Sequence, residues 1–432
     1  MRSATRALLL AALALVACAA LPGRLAPARA QQGIVVQSDA AQNEFPTGVT
    51  FSVAFTAPAA TDEVRLHYEV APDGTGATAI AQCSGTTTVS CAYTLTSGRG
   101  IYVIPGANIT YSWEIRTADG RSLQTPDRLY VHEDTRFAFR TLQRDNITLY
   151  YHAGGEAQAQ QVLDAAAETL QRIGALEQTQ VTFPVKVFLY QTADEMQPAI
   201  APVTRPGSGV QILGEVVYSD TAMVSADVVP LDITRHEVAH IVTEQATKGP
   251  FGIASWMNEG ISVYAQQRPL ESHEQALEAA IRSDRVLSFA EMSGSSAGQT
   301  AQTVGLFYGE AGSIIKYLID TYGDARFAQL LKVFRDGSRP DDAYQAVYGI
   351  SQLELENGWR ASVGLEPRAP SATPTAAAAG RPGPATGSDV PGARASTTHT
   401  RDDALTWGII GALAVGAVAS AAVVASVVRQ RM

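Results

Sequence analysis

The chain has 432 residues, 46% of them hydrophobic, and a formal net charge of −10. That length allows two or three domains with sizeable cores, and an acidic balance with no long basic run in the folded part argues against a nucleic-acid partner. Histidine and cysteine are scarce, seven and three in all, so a cluster among them carries information.

Arg2 and Arg6 precede an apolar run from Ala7 to Ala20, and Ala28-Arg29-Ala30 forms a small-x-small site before Gln31. This is the pattern of a secretory signal peptide over residues 1–30. Leu15-Val16-Ala17-Cys18 also resembles a bacterial lipoprotein box, and cleavage there would instead leave Cys18 lipidated at the new N-terminus. Residues 31–133 read as strands. Val49–Phe55, Val64–Val70 and Ile109–Ile115 alternate apolar and polar, with turns at Pro72-Asp73-Gly74, Pro105-Gly106 and Asp119-Gly120. Period-two runs with regular breaks predict an antiparallel β-sandwich of immunoglobulin or fibronectin type. Cys83 and Cys91 flank a short turn there, and an exported chain permits them to close a hairpin by a disulfide.

A second domain is expected over residues 134–364. Phe137–Phe139, Ile147–Tyr151, Val185–Tyr190, Val210–Leu213 and Ala222–Ser225 read as strands, and Glu156–Ala175 as an amphipathic helix. Helices then dominate, over Leu231–Thr247, Ser255–Gln267, Glu271–Ser283, Thr303–Tyr322, Asp324–Arg335 and Ser351–Val363, which makes an α+β domain. Residues 365–403 turn to Ala, Pro, Gly, Ser and Thr, the composition of a disordered stalk. Ala404–Val428 carries no charge and is long enough to span a bilayer as a transmembrane helix. Arg429 and Arg431 follow, so residues 429–432 form a cytoplasmic tail and the bulk of the chain lies outside the cell membrane. Asn108-Ile-Thr and Asn146-Ile-Thr fit the N-glycosylation pattern.

The chemistry concentrates in His236-Glu237-Val238-Ala239-His240. Residues four apart share a helix face, so both imidazoles reach one point with Glu237 beside them. This spacing suits one Zn2+ ion held by His236 and His240, with Glu237 as general base. After eighteen intervening residues, Glu259 in Trp256-Met257-Asn258-Glu259-Gly260 is the candidate third ligand. The neighbours Val238, Ala239, Ile241 and Val242 are apolar, and buried His and Glu need partners, which a metal supplies. Peptide-bond hydrolysis also needs a donor to the developing oxyanion. Tyr308 is the candidate, against the plain alternative that it is one of fifteen tyrosines serving a core or rim. His67, His132, His152, His273 and His399 are isolated and read as structural or solvated.

With its spacing to Glu259, the motif resembles the gluzincin metallopeptidases, and most of all the peptidase MA-like branch, related to the aminopeptidase and leukotriene-hydrolase family. In that family a catalytic tyrosine stands nine residues before a Tyr-Leu pair, and a glycine closes the same helix. Tyr308, Tyr317-Leu318 and Gly323 match this pattern. The resemblance covers roughly Phe137 to Gly364, and it implies a thermolysin-like fold with zinc between sheet and helices. Two departures stand out. The aminopeptidases carry a Gly-Ala-Met-Glu-Asn strand whose glutamate binds the substrate amine; nothing like it occurs between Val210 and Asp227, where Glu215 alone is acidic near that place, and the role is not carried over. The thermolysin pattern has aspartate four residues after the third ligand, where Val263 stands, so the residues that orient the histidines are unassigned. The expected function is a membrane-anchored extracellular zinc peptidase acting on peptides or proteins, an endopeptidase rather than an aminopeptidase. The alternative is a cell-surface adhesion or binding protein with a catalytically idle gluzincin scaffold.

Overall fold

The computed structural model describes residues 33–369 except 73, 99–101, 153, 201–210 and 294–300. The signal peptide, Cys18, nearly all of the stalk, the 404–428 segment and the tail lie outside the described residues. No helix among the described residues is long and apolar enough to cross a membrane.

The N-terminal part is built of two facing sheets. One is ordered β1-β2-β6-β5, from β1 (Val35–Glu44), β2 (Gly48–Thr56), β5 (Gln82–Ser84) and β6 (Thr88–Thr96). The other is ordered β4-β3-β7-β8, from β3 (Thr61–Ala71), β4 (Thr75–Ile80), β7 (Asn108–Thr117) and β8 (Ser122–Gln124), with β9 (Arg128–Val131) also paired to β7. Alternate residues of each strand point inward. Val49, Phe51, Val53 and Phe55 of one sheet therefore meet Leu66, Tyr68, Tyr111 and Trp113 of the other in a single core. Cys83 and Cys91 are directly opposed on β5 and β6 and are joined by a disulfide.

A five-stranded mixed sheet follows, ordered β10-β11-β12-β14-β13, from β10 (Arg140–Arg144), β11 (Ile147–Tyr151), β12 (Val185–Tyr190), β13 (Gly214–Tyr218) and β14 (Thr221–Ser225). Helix α1 (Glu156–Glu177) makes the crossover between the parallel strands β11 and β12. Both faces of this sheet are covered, which explains why β12 is apolar at nearly every position. Val185, Val187 and Leu189 pack under α1 and α3 (Pro230–Thr247). Phe188 and Tyr190 face the sandwich and join its core, while Lys186 donates to the Gly106 carbonyl at 2.7 Å. The remaining elements are α2 (Ala193–Met196), α4 (Ser255–Ala265), α5 (Glu271–Arg282), α6 (Phe289–Met292), α7 (Ala301–Tyr322), α8 (Asp324–Arg335), α9 (Pro340–Tyr348) and α10 (Gln352–Ser362). From α4 onward they share a second apolar core.

Several expectations need correction. Phe137–Phe139 is not a strand. The two rings pack edge to face at 6.1 Å and lie against His152, filling the junction with the sandwich; the strand is the polar Arg140–Arg144 just after. Pairing at the edge begins at Gly214, so residues 211–213 only lead into β13. Helix α9 was not anticipated. After α10 the Arg368 guanidinium bonds Glu356, and Asn357 holds both the N–H and the carbonyl of Arg368. Asn146 spends its side-chain amide on the carbonyls of Val181 and Phe183, at 3.1 and 2.7 Å, which ties it into the fold.

Candidate metal centre

Helix α3 starts at Pro230, whose missing N–H costs nothing at a first helical position. Its middle is buried throughout, between the sheet, α1 and α4. One turn of this helix sets His236 above His240. Helix α4 brings Glu259 to the same point. The next residue, Gly260, lets α4 press onto α7, since a Cβ there would fall 2.5 Å from the Ala311 carbonyl oxygen.

The three side chains converge. His236 Nε2 lies 3.2 Å from Glu259 Oε2 and 3.2 Å from His240 Nε2, and His240 Nε2 lies 3.4 Å from Glu259 Oε2. A tetrahedral zinc with bonds of about 2.0–2.1 Å sets its donors about 3.3–3.4 Å apart, so the donor set fits. Among the described residues this is the one His/Cys/Asp/Glu group of three or more close enough to share an ion. Its electrostatics favour positive charge. Burial pushes Glu259 up, but His240 and His236 outweigh it and hold the carboxyl at about 2. Burial pushes His240 down, yet Glu259, with Glu237 and Asn258, raises it to about 9.

Glu237 lies on the same helix with both carboxylate oxygens buried, within reach of the Val216 backbone N–H on β13. Burial, reinforced by Glu259 and Glu215, pushes it to about 8, against the opposing pull of His240. A carboxyl so placed can take and return a proton near neutral pH. Strand β13 runs alongside it: a Cβ on Gly214 would sit 2.5 Å from Glu237 Oε1. Tyr308 reaches the centre from α7, its ring 5.8 Å from that of His236.

Four further residues join the site. His240 Nδ1 lies 3.0 Å from Ser262 Oγ and 3.2 Å from Asn258 Oδ1, so these two α4 side chains orient the imidazole where Val263 cannot. Glu215, set aside from sequence, is 2% exposed on β13 and close enough to raise Glu237. His273, read as structural or solvated, is buried on α5 and stacks on Tyr308 at 5.2 Å and 12°. The Glu-x-x-Ser offset puts Ser262 on the same face of α4 as Glu259, but its place beside His240 depends on how α4 packs on α3. Glu215 and His273 needed the chain folded.

Residues 165–364 match the family model of the Peptidase MA superfamily. This part of the chain is a peptidase MA-like gluzincin domain. The chain is also similar to the M1 zinc metallopeptidase of Deinococcus radiodurans, at 13% identity and a TM-score of 0.36, over 79% of this chain and 96% of that one. A two-domain M1 zinc metallopeptidase mutant bound to L-arginine gives 13% identity and a TM-score of 0.33, over 78% and 95% of the two chains. A bromine derivative of BhCBM56 gives 14% identity and a TM-score of 0.17, over 22% of this chain and 89% of that one. At that distance these likenesses add nothing to the geometry of the centre. No curated protein matches the chain. The peptidase MA domain thus contains the whole metal group, Glu237 and Tyr308 within its matched residues.

Proposed function

We propose that the chain is a zinc-dependent peptidase that cuts peptide bonds by water attack. The observation that carries this reading is the triangle of His236, His240 and Glu259 donor atoms with 3.2–3.4 Å edges, beside the buried carboxyl of Glu237. Those three residues would hold one Zn2+ ion, which supplies Lewis acidity for carbonyl polarisation and water activation. Glu237 takes the proton of the attacking water and hands it to the departing amine. Tyr308 donates its hydroxyl to the oxyanion. The thermolysin-like layout supports this, with α3 and α4 meeting beside an edge strand that can line a peptide. The sandwich we read as immunoglobulin/fibronectin-like, since its orders β1-β2-β6-β5 and β4-β3-β7-β8 follow that pattern with one strand added. Residues 1–30 and 404–428 support export and anchoring by a single C-terminal helix, with peptides or proteins outside the cell as substrates.

Cleavage of internal bonds is the first reading, because no Gly-Ala-Met-Glu-Asn strand is present. A second reading is favoured by Glu215, whose place on β13 within electrostatic reach of Glu237 would let it bind a free amine. The test is the full chain in detergent, assayed on a peptide library with free and blocked N-termini, with zinc measured and Glu237→Gln as control. The expected result is one zinc per chain and cleavage of both substrate types, with about 10²–10⁴-fold loss in Glu237→Gln. Activity confined to free N-termini and lost in Glu215→Ala selects the aminopeptidase. One bound zinc with no cleavage of anything defeats the peptidase reading.

A further inference from the structure

Strand β4 is the outermost of its sandwich sheet, paired to β3 on one side, and among the described residues no other strand pairs with its far side. Just beyond it, the Ala81 N–H donates to the Val64 carbonyl at 2.9 Å. Backbone direction alternates along a strand, so Ala79, Ala77 and Thr75 also turn toward β3. Gly76, Thr78 and Ile80 then turn their N–H and C=O groups to the free side. All three are exposed, Ile80 at 68%. A free edge pairs with another strand unless something blocks it. Other edges of this protein are blocked. Strand β1 has a register break between Val36 and Ser38 and gives its Asp39 carbonyl to Arg128. Strand β10 carries Arg140 and Arg144, and β5 and β8 are three residues each. Strand β4 has six residues with no charge, proline or bulge. No charged residue occurs anywhere from Thr75 to Gly98.

We propose that β4 pairs antiparallel with β4 of a second copy of this chain, about a two-fold axis at Thr78. Directly paired residues point to the same face of a sheet, so a residue on the axis meets its own counterpart. With Thr78 there, Gly76 of each copy meets Ile80 of the other. Each pair exchanges two hydrogen bonds, and every outward group of Gly76, Thr78 and Ile80 is satisfied in both copies. The side chains agree with this register. The exposed Ile80 covers the backbone of Gly76, which has no side chain of its own, and Thr78 faces Thr78 in a favourable cross-strand pair. The neutral edge selects the partner: two identical edges meet here without like-charge repulsion, whereas a charged strand would find no opposite charge to pair with. The interface is small, so the dimer is weak and depends on concentration.

The test uses the full chain in detergent. Sedimentation velocity over a concentration series is expected to show a monomer–dimer equilibrium. Thr78→Lys sets like charges opposite each other on the axis and should raise the dimer Kd at least about tenfold, with Tm within about 2 °C of wild type. Thr78→Val adds no charge and loses the bond of the Thr78 hydroxyl to His67 Nδ1 at 2.9 Å; its Kd should stay within about threefold of wild type. Thr78→Cys sets two thiols across a hydrogen-bonded pair whose Cα atoms are about 5.5 Å apart, within reach of a disulfide. Mild oxidation should therefore give a covalent dimer, whereas Ser52→Cys, exposed on β2 in the middle of the other sheet, should not. A wild type that stays monomeric at the highest concentration overturns the proposal, as does the absence of a covalent dimer in Thr78→Cys. A Kd that Thr78→Lys leaves unchanged also overturns it, since the copies would then meet elsewhere. Peptide cleavage is read separately on the same preparations, and its absence removes the peptidase reading without touching this pairing.

Discussion

Gly214→Ala offers the sharpest probe of how β13 serves the centre. The added Cβ would stand 2.5 Å from Glu237 Oε1, 2.7 Å from Glu237 Cγ and 2.6 Å from Ile233 Cγ2. Ordinary contact starts near 3.4 Å, so each approach is short by about 0.7–0.9 Å. Glu237 and Ile233 are both fully buried on α3. Strand β13 is paired only to β14, so it must shift outward, or the Glu237 carboxyl must turn away. Overpacking of this kind costs about 1–3 kcal/mol, and each kcal/mol lowers Tm by about 2–4 °C in a domain of this size. Displacing a reacting group by about 1 Å costs about 10²-fold in rate. The expected result is therefore a kcat/KM about two orders of magnitude down, a Tm several degrees down, and one zinc still bound. Peptide cleavage, differential scanning calorimetry and zinc analysis on the same preparation measure all three. Activity within twofold of wild type at an unchanged Tm would refute the contact between β13 and the general base.

Two more outcomes follow from contacts around the centre. Ser262→Ala combined with Asn258→Ala removes both partners of His240 Nδ1, at 3.0 and 3.2 Å; zinc affinity should fall about 10–100-fold by competitive chelator titration, and an unchanged affinity would show that packing alone orients the ring. Glu310 accepts the Leu287 N–H at 2.9 and 3.0 Å, and burial raises it from 4.5 to about 8. The folded state therefore holds a proton that the unfolded chain releases, and the stability this group contributes is complete below pH 4.5 and lost as pH rises toward 8. Glu310→Gln mimics the protonated acid, so urea unfolding from pH 5 to 8 should show a pH slope shallower than wild type by about 1.4 kcal/mol per unit. Identical slopes would mean that Glu310 is ionised in the fold.

The parts of the fold that were legible are those set by short-range pattern. The strands over Val49–Phe55, Val64–Val70 and Ile109–Ile115, and the helices from Glu156, Leu231 and Asp324, follow from periodicity in one continuous segment. Phe137–Phe139 misled because aromatic density reads as strand, whereas these rings plug the junction with the sandwich. Strand β10 was hidden by its polar residues, which a sheet edge tolerates.

What the amino-acid order alone determines here is the meeting of His236 and His240, because four residues make one turn of any α-helix and no other part of the protein is needed to align them. The coming together of Gly214, Glu215, Ser262 and His273 with that turn was decided only by tertiary structure. These residues stand on an edge strand and two other helices, and no local periodicity records which of their faces will press against α3 and α7. Packing of whole elements selects those neighbours, through close approaches such as that of Gly214 to Glu237 and through the stack of His273 on Tyr308.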